Sequence, residues 1–259
     1  MINKLNEICP LYTNGTSKRK IRHNFFKSIE TEIQAYLLGF IMADGSVNEK
    51  RHTLTININK KDAELFKLFN IISPDAYIHE EKNYESKATV RGKTVKNSGS
   101  LRLCISSIVL IEDLKKLGVV ENKTYSQLNI PNIPDNLIKH FIRGYFDGDG
   151  CITYSVIKPN PDNREKNYRV SARFEICSKT NNLLLEFQKW FANKDVELGI
   201  NYIKRDDMYN LQACSRNKLI DIFSLLYSES KYYLSRKYEK FNYYVNTEVS
   251  QLIADHRNA

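Results

Sequence analysis

The chain has 259 residues, 42% of them hydrophobic, which is enough apolar material for one large or two medium globular bodies. Its net charge of +9 favours a polyanionic partner, nucleic acid before a membrane surface. Five scattered cysteines without CxxC spacing, and no GxGxxG, GxxxxGK[ST] or HExxH motif, exclude a disulfide framework, a zinc site and the common nucleotide-cofactor classes.

No apolar run approaches a membrane span, since the longest uncharged one covers only Ala35 to Ala43. The first residues lack a secretory pattern, so an intracellular protein is expected, in an unspecified compartment. Residues 1–30 read as an N-terminal extension. AYLLGFIMADGSV then predicts an apolar helix that ends at Ala43-Asp44-Gly45. In TLTININ, Leu54, Ile56 and Ile58 alternate with Thr53, Thr55 and Asn57, the signature of a half-buried strand. KKDAELFKLFNII reads as an amphipathic helix. The polar stretch KNYESKATVRGKTVKNSGS, which carries Lys82, Lys87, Arg91, Lys93 and Lys96, reads as a hairpin or loop on a binding face. LRLCI, with Arg102 between Leu101 and Leu103, runs into the helix of IVLIEDLKKLG. Pro131 and Pro134 close this half, and Asp135 or Asn136 caps the next helix.

The second half repeats the first. FIRGYFDGDGCI matches the earlier helix, with Gly144, Gly148, Asp149 and Gly150 standing where Gly39, Ala43, Asp44 and Gly45 stood. YRVSARFEI alternates Val170, Ala172, Phe174 and Ile176 with Arg169, Ser171, Arg173 and Glu175. In YNLQA, Asn210 and Gln212 oppose Leu211. Helices over LLLEFQKWF and KLIDIFSLLY complete the parallel. The expected fold class is therefore α+β, a tandem αββαββα duplication, with halves at 31–126 and 127–245 and a C-terminal tail at 246–259.

Small residues four apart, Gly39/Ala43 and Gly144/Gly148, allow the two repeated helices to approach closely. Their ends, and with them Asp44 and Asp149, are then expected to meet. Two carboxylates a few ångströms apart, each at a negative helix terminus, repel by several kcal/mol unless a cation joins them. The hard oxygen donors select Mg²⁺ or Mn²⁺, with the Ala43 and Gly148 carbonyls completing the shell. One Asp-Gly after a helix is an ordinary turn. Two at equivalent places are harder to dismiss.

LLGFIMADG and IRGYFDGDG resemble the two signature helices of the LAGLIDADG homing endonucleases, in the single-chain, two-motif form. The first departs at its sixth place, where Met42 replaces the usual acid; the eighth-place acids, Asp44 and Asp149, are present. The resemblance covers roughly residues 30 to 245. It implies a pseudo-twofold monomer whose sheets form a saddle over duplex DNA, and metal-dependent double-strand cleavage leaving 3′ overhangs. Asp44 and Asp149 would hold metal. Lys123 and Lys237 occupy the family's positions for basic residues beyond the third helix of each half, with Arg236 and Lys240 as rivals. Thr53, Thr55, Asn57, Lys93, Arg102, Arg169, Ser171, Arg173, Asn210 and Gln212 would face DNA, being groups that read base edges in the major groove. Alternation alone is also what any half-exposed sheet shows. The alternatives are an intron RNA maturase on the same scaffold, a DNA-binding regulator without cleavage, and, less in keeping with the Arg-bearing strands, an enzyme acting on small phosphoesters.

Overall fold

The computed structural model describes residues 2–14, 19–81, 88–90, 93–95, 99–123, 126–160 and 167–258. The chain opens with α1 (Ile2–Ile8), β1 (Tyr12–Asn14) and β2 (Arg19–Ile21). It continues through α2 (Glu32–Asp44), β3 (Gly45–Asn48), β4 (Thr53–Asn59), a 3₁₀ turn (Lys60–Asp62), α3 (Leu65–Phe69) and β5 (Tyr77–Glu81). Next come β6 (Ala88–Val90), β7 (Lys93–Val95), β8 (Ser100–Ser106) and α4 (Ile108–Lys116). The second series is α5 (Asp135–Asp149), β9 (Gly150–Ile157), β10 (Arg169–Ser178), α6 (Asn182–Ala192), β11 (Gly199–Ile203), β12 (Met208–Ala213) and α7 (Arg216–Tyr227). It ends with α8 (Ser235–Asn246) and α9 (Val249–Asn258).

The α+β class holds, and so does the duplication. Two four-stranded antiparallel sheets run β3-β4-β8-β5 and β9-β10-β12-β11, the same order in each copy. Their registers agree as well. Gly45 pairs with Ile56, which pairs with Leu103; Gly150 pairs with Ile176, which pairs with Leu211. The expected hairpin between the first-copy strands is present as the paired β6 and β7. Lys93 opens β7, but its side chain, and all of Lys82, Lys87, Arg91 and Lys96, lie outside the described residues.

The chain forms two compact units, residues 1–123 with 131–145, and residues 124–130 with 146–259. In the first, α2 is buried continuously from Ile33 to Met42, as befits a helix that is apolar on all sides. Its start is fixed by a capping arrangement in which Gln34 Oε1 accepts the Thr31 amide at 3.1 Å. The same buried side chain donates Nε2 to the carbonyls of Phe25 at 2.7 Å and Ser28 at 2.9 Å, so it ties the N-terminal extension to the helix. The partner of α2 in this unit is the first part of α5. A Cβ on Gly39 would lie 2.0 Å from the Phe141 carbonyl oxygen, and one on Gly144 would lie 2.0 Å from that of Tyr36. The two contacts mirror each other, because Tyr36 and Phe141 hold equivalent places three residues before their glycines. The close approach expected from the small residues is therefore made at Gly39 and Gly144, backbone against backbone.

Arg143 is fully buried in this contact; it donates to Glu32 Oε1 at 2.8 Å and lies over the Tyr36 ring. Next to it, burial together with repulsion from Arg143 and Lys139 lowers the His140 imidazole from 6.5 to about 3. Between those values the unfolded chain binds a proton that the folded chain refuses. Stability should therefore fall as pH drops from about 6.5 towards 3, and be fully present above that window. Thermal melts at about pH 7 and about pH 4 check this: the acid loss should be smaller in His140→Gln than in the wild type.

In the second unit the core is aromatic. Phe146 stacks on Phe174 at 4.8 Å, and Phe241 of α8 closes on both. The C-terminal residues expected as a tail instead form α9, whose Leu252 is buried and which packs on β9 and β10. Beyond Ile152, Tyr154 and Val156 of β9 are half-buried, and α9 lies against them together with Tyr243.

Candidate functional site

Both repeated helices pass into a strand with no connecting residue: α2 ends at Asp44 and β3 begins at Gly45, while α5 ends at Asp149 and β9 begins at Gly150. The fold-back needs the glycine. A Cβ at Gly45 would stand 2.6 Å from the Ile41 carbonyl oxygen, and one at Gly150 2.5 Å from that of Phe146. The acid just before it is thus held on rigid structure between helix and sheet. Asp44 and Asp149 are both exposed, whereas the preceding Ala43 and Gly148 are half-buried.

In the first unit Lys123 donates Nζ to the Ala43 carbonyl at 2.8 Å. In the second, Lys237 is buried at 6% exposure and donates to the carbonyls of Phe146 at 2.8 Å, Asp147 at 2.7 Å, Gly148 at 3.2 Å and Gly150 at 2.6 Å. Each lysine therefore places an ammonium on the negative end of its motif helix, at the carbonyl preceding the exposed acid. Of the rivals, Lys240 lies instead over the Tyr154 ring and Arg236 is exposed on the outer side of α8.

Asp147 holds the sixth place of the second motif, where the first has Met42. It is buried at 2% exposure, and its Oδ2 accepts the Leu234 amide at 2.8 Å, where Leu234 is the N-cap of α8. Its counterpart Met42 is buried beside Gly118. The one signal in the sequence was this difference between the two copies.

The sheets place the expected contact residues as follows. In the first, Leu54, Ile56, Leu103 and Ile105 are buried, and Thr53, Thr55 and Asn57 occupy the opposite face. Arg102 stands directly across from Asn57 and donates Nε to its Oδ1 at 3.0 Å. In the second, Arg169, Ser171 and Arg173 are exposed on β10 opposite the buried Ala172, Phe174 and Ile176, and Arg173 is 3.8 Å from Glu175. Farther along this face, burial first and then the Glu175 and Asp149 charges push the Cys177 thiol up to about 11. That face leads towards the acid. Gln212 is half-buried. Asn210 departs from expectation: flanked by Cys177 and Asn201 on a central strand, it is only 3% exposed and turns its amide to Gln212 at 3.4 Å. It braces the neighbouring glutamine and does not present a free edge.

A family model described as LAGLIDADG endonuclease matches residues 142–247. The fold of nearly the whole chain is also shared with solved LAGLIDADG meganucleases. One of these, I-CpaMI bound to uncleaved DNA, is 17% identical with a TM-score of 0.57, over 88% of this chain and 98% of that one. The second half of the chain matches the LAGLIDADG family model. I-SmaMI, bound to an uncleaved DNA target in the presence of calcium ions, is 15% identical with a TM-score of 0.55, covering 89% and 93%. I-AabMI bound to uncleaved DNA is 15% identical with a TM-score of 0.52, covering 85% and 91%. At such identities the likeness is one of fold. It extends the LAGLIDADG architecture to the first half, which the family model leaves unmatched.

Among the described residues no group of three or more His, Cys, Asp or Glu could hold a metal on its own. What each half offers is one exposed carboxylate and one adjoining helix-end carbonyl, both hard oxygen donors. Mg²⁺ characteristically binds through one or two carboxylates plus substrate phosphates, and this donor set fits that habit. Among the described residues no helix is long and apolar enough to cross a membrane.

Proposed function

We propose that the protein is a site-specific DNA endonuclease that makes divalent-metal-dependent double-strand breaks, acting as a monomer and leaving 3′ overhangs. The observation that carries this reading is the repeated constellation: an exposed acid at a helix-to-strand junction with a lysine on the carbonyl before it, once in each unit. The net charge of +9 and the arginine-bearing sheet faces supply the affinity and register that a long duplex requires. The DNA bound in the related structures supports the same partner.

Asp44 with the Ala43 carbonyl, and Asp149 with the Gly148 carbonyl, would hold Mg²⁺ or Mn²⁺. Such an ion supplies Lewis-acid polarisation of a phosphate oxygen and acidifies water. Lys123 and Lys237 hold fixed positive charge beside the acids, where the scissile phosphate accumulates negative charge. Arg102, Arg169 and Arg173 set the register on the duplex, and Thr53, Thr55, Asn57, Ser171 and Gln212 supply neutral hydrogen-bonding edges. The two units each attend to one strand.

The test is incubation with duplex from the regions flanking the protein's own gene, with and without Mg²⁺. Specific double-strand cuts are expected only with the metal, and intron RNA binding without any cut overturns the proposal. Duplex affinity should fall by on the order of 10³-fold between 50 and 200 mM salt, as counterion release demands. Fluorescence anisotropy over that salt range measures it, and a flat response contradicts binding through phosphates.

A further inference from the structure

Opposite ends of two helices meet in the second unit. The C-terminus of α5 presents carbonyls of partial negative charge, and the N-terminus of α8 presents amides of partial positive charge. Each is met by a charge from the other element: Lys237 of α8 binds four carbonyls spanning Phe146 to Gly150, and Asp147 of α5 accepts the Leu234 amide at 2.8 Å. The two contacts cross, so neither element shifts without breaking both. Gly148 and Asp149 lie directly after Asp147, inside the segment that is clamped.

The first unit lacks this device. Met42 stands in place of Asp147, and Lys123 reaches Ala43 from the residues that follow α4, with no helix corresponding to α8 among the described residues. From this difference we infer that Asp147 is a positioning residue for the second half-site alone: by anchoring the start of α8 it holds Lys237 and Asp149 in their working geometry. It does not touch substrate. The inference rests on the endonuclease reading and adds a strand-specific consequence to it.

Single-turnover cleavage of a duplex labelled separately on each strand tests it, the strand served by the second unit being the one whose cutting Asp149→Asn abolishes. In Asp147→Ala that strand should be cut roughly 10–100-fold more slowly, the usual cost of losing an outer-shell partner, while the other keeps its rate and nicked duplex accumulates. Duplex affinity should not change, so the loss falls on kcat and not on KM. Asp147→Asn retains an acceptor oxygen and should recover part of the rate. Leu234→Pro deletes the donated N–H at a φ of −82°, which proline accepts, and should reproduce the strand-selective loss. A readout independent of cleavage is hydrogen exchange at the Leu234 amide, which should be protected in the wild type and fast in Asp147→Ala. Equal slowing of both strands, or an unprotected amide in the wild type, overturns the inference and leaves the endonuclease reading standing. A wild type that cuts neither strand overturns that reading itself.

Discussion

Asp44→Asn and Asp149→Asn should each reduce double-strand cleavage by on the order of 10²–10³-fold, the usual cost of removing one pre-set electrostatic group from a reacting centre. The side chain keeps its shape and loses the charge that would hold a divalent ion. Both positions are exposed, so the change leaves the packed core untouched. Both also lie at the negative end of a helix, where removing an anion gains about 0.3–1 kcal/mol. The variants should therefore melt at or slightly above the wild-type temperature while losing activity. That opposite movement separates a functional acid from a structural one. Calorimetry beside a plasmid-cleavage assay measures both quantities, and cleavage retained by either variant would remove the acid from the mechanism.

Gly39→Ala and Gly144→Ala should be the most damaging single changes to stability. The added Cβ would sit 2.0 Å from a carbonyl oxygen of the facing helix, and that oxygen belongs to backbone, which cannot swing away. Relief requires the two helices to separate. This breaks the Arg143–Glu32 contact and opens the tightest packing in the first unit. Such overpacking should cost about 3 kcal/mol, and Tm should fall by roughly 10 °C in a chain of this size. Gly199→Ala is the control: nothing lies within 4 Å of its added Cβ, so its stability should stay within about 0.5 kcal/mol of the wild type. A melting temperature unchanged in Gly39→Ala would mean that the helices do not touch at that point.

Much of this could be read before any fold was known. The duplication was visible because each copy repeats the same small residues, the same acid-glycine step and the same strand alternation. The equivalent register of Gly45 and Gly150 on their sheets is the structural form of that repetition. Lys123 and Lys237 were legible only through the resemblance, since lysines are abundant on any basic surface; the carbonyls they reach give them a definite place. Asn210 misled because alternation reports which face a residue points to, and not whether neighbouring strands cover it. The C-terminal residues misled because α9 buries little beyond Leu252, too short an apolar pattern to signal docking.

Sequence alone carried the α+β class, the two-copy architecture, the glycine-bearing helices and the acids at their ends, because each rests on local periodicity or on a residue type that only one backbone geometry accepts. Only the folded chain shows that Lys237 is buried against four carbonyls, that Asp147 accepts the amide at the N-cap of α8 and that Arg143 is enclosed beside Tyr36. Those contacts join residues far apart in the chain, and the partners of Lys237 and Asp147 are main-chain groups that every residue carries. No pattern of side chains can announce them.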